Sequence, residues 1–268
     1  MNSHNHRRFW IMIPIMMLAI LIMAACAPAT APAAEAPADE AAVEEAAPTE
    51  EAAEEGSFEV VMGVAANIGQ LHPNLTSLTT DWLVLDQVMD PLIVLGPDGT
   101  FQPWLATEWS VSDDGLTWTF KLREDAVFHN GEPFNAEAVK WTVEDALTIE
   151  GSSQINVINE LESVNVVDDY TVEMVTNRTN PIWLSQIVHL YMMPPAYSEE
   201  VGPTGFLEAP IGTGAFTFVE QVQDDHVTVE KNADWWGGEP SIDRVSFRTI
   251  PEASSRVASI GPGESVAA

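Results

Sequence analysis

Asp114-Gly-Leu-Thr-Trp-Thr-Phe-Lys-Leu-Arg123 is the stretch on which the fold turns. Leu116, Trp118, Phe120 and Leu122 alternate with Thr117, Thr119, Lys121 and Arg123, the period-two pattern of a half-buried strand. Asp113-Asp114-Gly115 supplies a turn back to Trp109-Ser110-Val111, so the strand is one arm of a hairpin. Further along, Asn130-Gly131 marks another turn. Asn135 then caps a helix of about fourteen residues whose Val139, Val143, Ala146 and Leu147 share one face.

Upstream, residues 58–64 read as a buried strand and 67–73 (Asn-Ile-Gly-Gln-Leu-His-Pro) as a turn-rich segment. Thr80 is placed to cap a helix over 81–89, which Pro91 ends; 92–95 is a short strand and Gly96-Pro97-Asp98-Gly99 a turn. Downstream, Val164-Asn165-Val166, the Asp168-Asp169 turn and Tyr170, Val172 and Met174 form a second hairpin. Asn180-Pro181 starts a helix with Pro at its first position, and Met193-Pro194-Pro195 stops the run that follows. Strands are expected at 215–221, 226–231 and 244–250, with a last helix over 251–259. Mixed strands and helices, hairpins throughout and no strict βαβ alternation define an α/β chain with mixed sheets.

The 268 residues carry 41 acids against 10 bases, a net charge of −31. That acidity argues against nucleic-acid and anionic-lipid partners, whose phosphates would be repelled. A hydrophobic content of 46% and nine Trp support a real core. The single Cys excludes an intramolecular disulfide and a thiolate-rich metal site.

That Cys ends the amino-terminal segment 1–26. Arg7 and Arg8 precede an apolar run over 9–23, followed by Ala24, Ala25 and Cys26, the layout of a secretory signal. Met23-Ala24-Ala25-Cys26 resembles a bacterial lipobox, which would make Cys26 the acylated first residue of an anchored protein. The competing reading is an ordinary cleaved signal with an incidental Cys. Residues 27–56 are almost entirely Ala, Pro, Glu and Thr and read as a disordered acidic tether.

Catalytic signatures are missing from the sequence. His72, His129, His189 and His226 have no metal-ligand spacing, and His129 beside Asn130-Gly131 reads as a surface turn residue. Ile211-Gly-Thr-Gly-Ala-Phe216 lacks the third Gly of a dinucleotide fingerprint and precedes a strand, so it reads as a tight turn. Trp235-Trp236 could stack on a ligand, but packing under a loop and over a domain edge is the preferred reading. No cofactor, metal or catalytic residue is expected.

Several segments in order resemble the extracellular solute-binding protein family 5 of ABC importers, the oligopeptide, dipeptide and nickel binders. They are Gln70-Leu-His-Pro73, Trp104-Leu-Ala-Thr-Glu-Trp109, Asp114 to Arg123 as quoted, and Phe128-His-Asn-Gly-Glu-Pro-Phe-Asn-Ala-Glu137. Ile211 to Phe216, Glu230-Lys-Asn-Ala-Asp-Trp-Trp-Gly-Gly238 and Ile250-Pro-Glu-Ala-Ser-Ser-Arg256 complete the set. The resemblance implies a periplasmic-binding-protein-like fold of the large peptide-binding type. Residues 57–98 and 198–268 would form the first lobe, incomplete here, and 99–197 an inserted subdomain. It also implies an exported lipoprotein, on the outer face of a bacterial membrane, that captures peptides or similar small solutes. It would hand them to importer permease subunits and be a monomer when complete. Family members are longer, and the tail 259–268 reads like a scrambled version of their continuation. The resemblance therefore implies an amino-terminal fragment lacking one cleft wall and holding solute poorly. Ligands of two-lobed binders meet turns that face the cleft, which selects Asn67, Gln70, Leu71 and His72, with Thr213 and Gly214 at a second turn. Plain turn structure is the competing reading for Gln70, Leu71 and His72. A secreted hydrolase and a structural surface lipoprotein are the alternative functions.

Overall fold

The structure is a computed structural model that describes residues 58–259. The expected signal and tether, with Cys26, lie outside the described residues. Two four-stranded sheets and a two-stranded ribbon organise the described residues.

One sheet contains β4 (Ala106–Val111), β5 (Thr117–Leu122), β6 (Leu161–Asp168) and β7 (Thr171–Thr176), in the order β4-β5-β7-β6 and antiparallel throughout. Its register explains why the alternation in β5 works. Trp109, Phe120, Val172 and Val166 stand side by side across the four strands, and Val111, Trp118, Met174 and Val164 form the next apolar row. Between these rows, on the opposite face, run Ser110, Thr119, Glu173 and Asn165. The helix α2 (Ala136–Thr148) packs on β6 and β7, burying Val139, Val143 and Ala146 in one core with Phe120, Val172 and Met174. Asn135 caps it as expected, its Oδ1 accepting from the Ala138 N–H at 3.0 Å. The ribbon β2 (Ile93–Leu95) and β3 (Phe101–Pro103) lies along the chain between α1 (Thr79–Val88) and β4.

The other sheet has the order β1-β10-β9-β8, from β1 (Glu59–Val64), β8 (Phe216–Val222), β9 (His226–Lys231) and β10 (Arg244–Thr249). β1 runs parallel to β10, while β10–β9 and β9–β8 are antiparallel. α1 packs on this sheet, with Val84, Leu85 and Val88 in a second core beside Val227, Val229, Val245 and Phe247.

Several expectations change. β1 is an edge strand whose residues are mostly half-buried, because only β10 borders it. Thr80 does not cap α1; the helix begins at Thr79 with Leu78 at the cap position and no side-chain cap. Instead, the Thr76 hydroxyl donates to Asp81 at 2.6 Å and accepts from the Leu78 N–H at 3.1 Å. The helix expected at Asn180-Pro181 starts later and is short, α3 (Trp183–Ile187), since Asn180 Oδ1 holds the Ile182 N–H in a turn. Pro194-Pro195 does not end the helical run. It opens a new helix, α4 (Pro195–Glu208), with Pro at its first position. α4 bends at Gly202, whose φ of 65° is in the left-handed region, just before Pro203. The last helix, α5 (Ala253–Ala258), is shorter than 251–259.

Candidate functional site

The loop between β1 and α1 is pinned by one carboxylate. Asp81 is fully buried in the first turn of α1, and it accepts the Gly69 N–H at 2.9 Å, the Gln70 N–H at 3.3 Å and the Thr76 hydroxyl. This fixes where the expected ligand contacts fall. Asn67 and Gln70 are exposed; Leu71 and His72 are buried. Asn67 donates to the Asp224 carboxylate, which bridges the loop to the β8–β9 hairpin. A hollow of about 610 Å³ opens there, lined among others by Asn67, Gly69, Leu207, Glu208 and Asp224. The His72 ring lies 5.2 Å from that of Phe206, and burial pushes its imidazole below the ordinary value, against a raising influence from Asp145.

Thr213 and Gly214 sit elsewhere. A Cβ on Gly212 would stand 2.2 Å from the Val88 carbonyl oxygen, and one on Gly214 would stand 2.5 Å from that of Gln87. The Gly-x-Gly is therefore a close backbone approach to the end of α1, secured by the Gly214 N–H on the Val88 carbonyl at 3.0 Å. Val88 and Asp81 are seven residues apart on α1, about 10 Å at the helical rise, so the structure keeps the two sets of candidate residues apart. His129 is a bridge rather than a surface turn residue. Its Nε2 contacts the Gly214 carbonyl at 3.0 Å, and burial lowers its proton affinity.

Thr213 belongs to a polar node around Asp90, which is 3% exposed. Asp90 accepts from Trp104 Nε1 at 2.7 Å, Trp236 Nε1 at 3.0 Å and the Thr213 hydroxyl at 2.8 Å. The Trp235-Trp236 pair thus has a packing role. Trp236 is fastened to Asp90 with the Arg123 guanidinium 3.4 Å from its ring centre, and Trp235 lies 6.1 Å from Trp104.

Beside this node lies an open groove. Three hollows of about 350, 400 and 420 Å³ adjoin around His189. The Trp82 and His189 rings meet edge-on at 4.0 Å, and Trp82 and Tyr191 at 5.9 Å. The Tyr191 hydroxyl donates to Asp86 Oδ1 and lies 3.4 Å from His189 Nδ1. Burial pushes the Asp86 carboxyl above the usual range, which the Tyr191 hydrogen bond partly offsets. Burial pushes His189 below the ordinary imidazole value, against a raising influence from Asp86. Trp104 walls the far end, and Gln154 and Asn156 the near end. The arrangement has aromatic faces, a carboxylate and amides, and it suits binding rather than bond-breaking. These residues were missed from the sequence. The one local signal was Trp82 and Asp86, four apart on a single helix face.

The family model for bacterial extracellular solute-binding proteins, family 5 (middle region), matches residues 100–268. The nickel-binding periplasmic protein of Escherichia coli is 28% identical over 211 residues, which cover 77% of this chain and 40% of that protein. A glutathione-binding protein, GsiB, of Escherichia coli is 31% identical over 211 residues, covering 77% and 41%. Among solved structures, NikA from Brucella suis in complex with Fe(III)-EDTA has a TM-score of 0.69 at 30% identity, covering 77% of this chain and 42% of that one. The chain spans about two fifths of the length of the curated relatives it matches. Those relatives are binding proteins, not enzymes, and the fold is of the periplasmic-binding-protein type expected from the sequence.

Proposed function

Because this chain belongs to the bacterial extracellular solute-binding proteins of family 5, we propose that it captures peptides or similar small solutes for an ABC importer. The observation that carries this reading is the family match across residues 100–268, over a fold that leaves an open, aromatic-walled groove around His189. Solute would lie in that groove, a concave place where a few polar groups orient a mostly apolar lining. Asn67, which lines the separate hollow beside Asp224, and Gln70 remain proposed contacts on the β1–α1 loop. Leu71, His72, Thr213 and Gly214 would shape the site from behind, since their side chains or backbones are buried. Residues 57–98 and 198–268 are proposed as one lobe and 99–197 as the inserted subdomain; two cores support a division, although Leu92 and Ile93 join the core of the inserted part and Tyr191 and Met193 the other.

A nitrogen-15 labelled sample titrated with a mixed dipeptide pool to millimolar concentration tests the reading. The Trp82 indole and His189 signals should shift saturably while those of Trp118 stay fixed. Unchanged groove signals would overturn it.

Cys26 is proposed as the lipid-bearing first residue of an anchored protein, with 1–26 as its signal and 27–56 as a tether. The support is a lone Cys directly after an apolar run and two Ala. In a bacterial host, labelled palmitate should enter the wild-type chain and not Cys26→Ser; equal labelling of both would remove the anchor.

A further inference from the structure

We propose that the groove around His189 selects solutes presenting an organic ammonium group beside an apolar or aromatic body, an inference that rests on reading the chain as a solute-binding protein. Asp86 is held by Tyr191 through Oδ1 alone, and among the described residues no side chain donates to its Oδ2. That oxygen belongs to a residue shared by two of the three hollows. Trp82, Tyr191 and Trp104, whose electron-rich faces attract cations, line the same space.

None of the residues lining the three hollows is Lys or Arg. Arg123, Lys140, Arg178, Lys231 and Arg244 are each paired with a carboxylate elsewhere. Burial lowers the proton affinity of His189, the one imidazole in the groove. A solute carboxylate would therefore meet Asp86 with no compensating charge, while an ammonium would find an acceptor and aromatic walls. The apolar share of the ligand also has a place, because Leu83, Val94, Leu95 and Val157 line the hollows.

Three probes that share one side chain separate the charge from the body: phenylalaninamide, N-acetylphenylalaninamide and N-acetylphenylalanine. Titrated into the full chain and followed by the Trp82 and His189 signals, phenylalaninamide should bind about tenfold more tightly than N-acetylphenylalanine, with the neutral probe between them. Asp86→Asn should bring the three to within about threefold, and Asp86→Glu should keep the order. Thermal melts of both variants check that they remain folded, and the wild-type ranking stands without them. Equal affinities, or tighter binding of N-acetylphenylalanine, would overturn the ammonium preference and leave solute capture standing. No shift with any of the three, together with none from the dipeptide pool, would overturn both.

Discussion

Asp90→Ala is expected to destabilise the described domain by about 3–5 kcal/mol. Each of the three donors it satisfies would be left without an acceptor, at about 1–3 kcal/mol for a buried group. Trp104 and Trp236 are only half-buried and would recover some hydration, and the variant no longer has to bury a carboxylate. Both effects keep the loss below the sum of three orphaned donors. A thermal melt should fall by about 10 °C for a domain of this size. Indole N–H signals of Trp104 and Trp236 should move together, because both indoles donate to the same carboxylate. A melt within a degree or two of wild type would mean the node is decorative.

Phe120→Ala should be about as damaging, at about 3–5 kcal/mol, for a different reason. The ring is fully buried between Trp109 and Val172 in the register of the sheet, and its removal leaves a cavity under α2. Thr119→Ala, one residue away on the polar row with Ser110 and Glu173, should lose less than about 1 kcal/mol. Urea titrations of the two variants decide the matter; similar losses would mean that the faces of the sheet have been assigned the wrong way round.

The contrast between those two neighbours was legible in the sequence, because alternation is local and survives without knowledge of the partner strands. The Asn135 cap was legible for the same reason. What could not be read was assembled from afar. Asp90 gathers donors from positions 104, 213 and 236, and nothing near Asp90 in the chain announces them. His129 looked like a turn residue because its partners, Gly212 and Gly214, lie more than eighty positions away. α4 was hidden by its own breakers. Met193-Pro194-Pro195 read as a stop, but Pro195 became a helix start, and the helix it opens bends at Gly202 before Pro203. The resemblance across the chain pointed to the family correctly, yet the candidate contacts it suggested split between an exposed loop and a buried backbone crossing. The groove was built instead from Trp82, Asp86, His189 and Tyr191, two pairs of residues that only the packing of α1 against the segment after α3 brings together.

The parallel pairing of β1 with β10 sets the order in which events can happen as the chain is made. Phe58 and Asp243 exchange backbone and side-chain hydrogen bonds across 185 positions. When β1 leaves the ribosome, its only neighbour in the sheet has not been synthesised. The hairpins β4–β5, β6–β7 and β8–β9 can each zip up from a short turn, but β1 must wait for β10. Closing so long a loop adds only about 0.6 kcal/mol of entropy per doubling of its length, so the delay is one of time more than of stability. Until β10 has been made, the nascent polypeptide carries an unpaired strand and remains threadable.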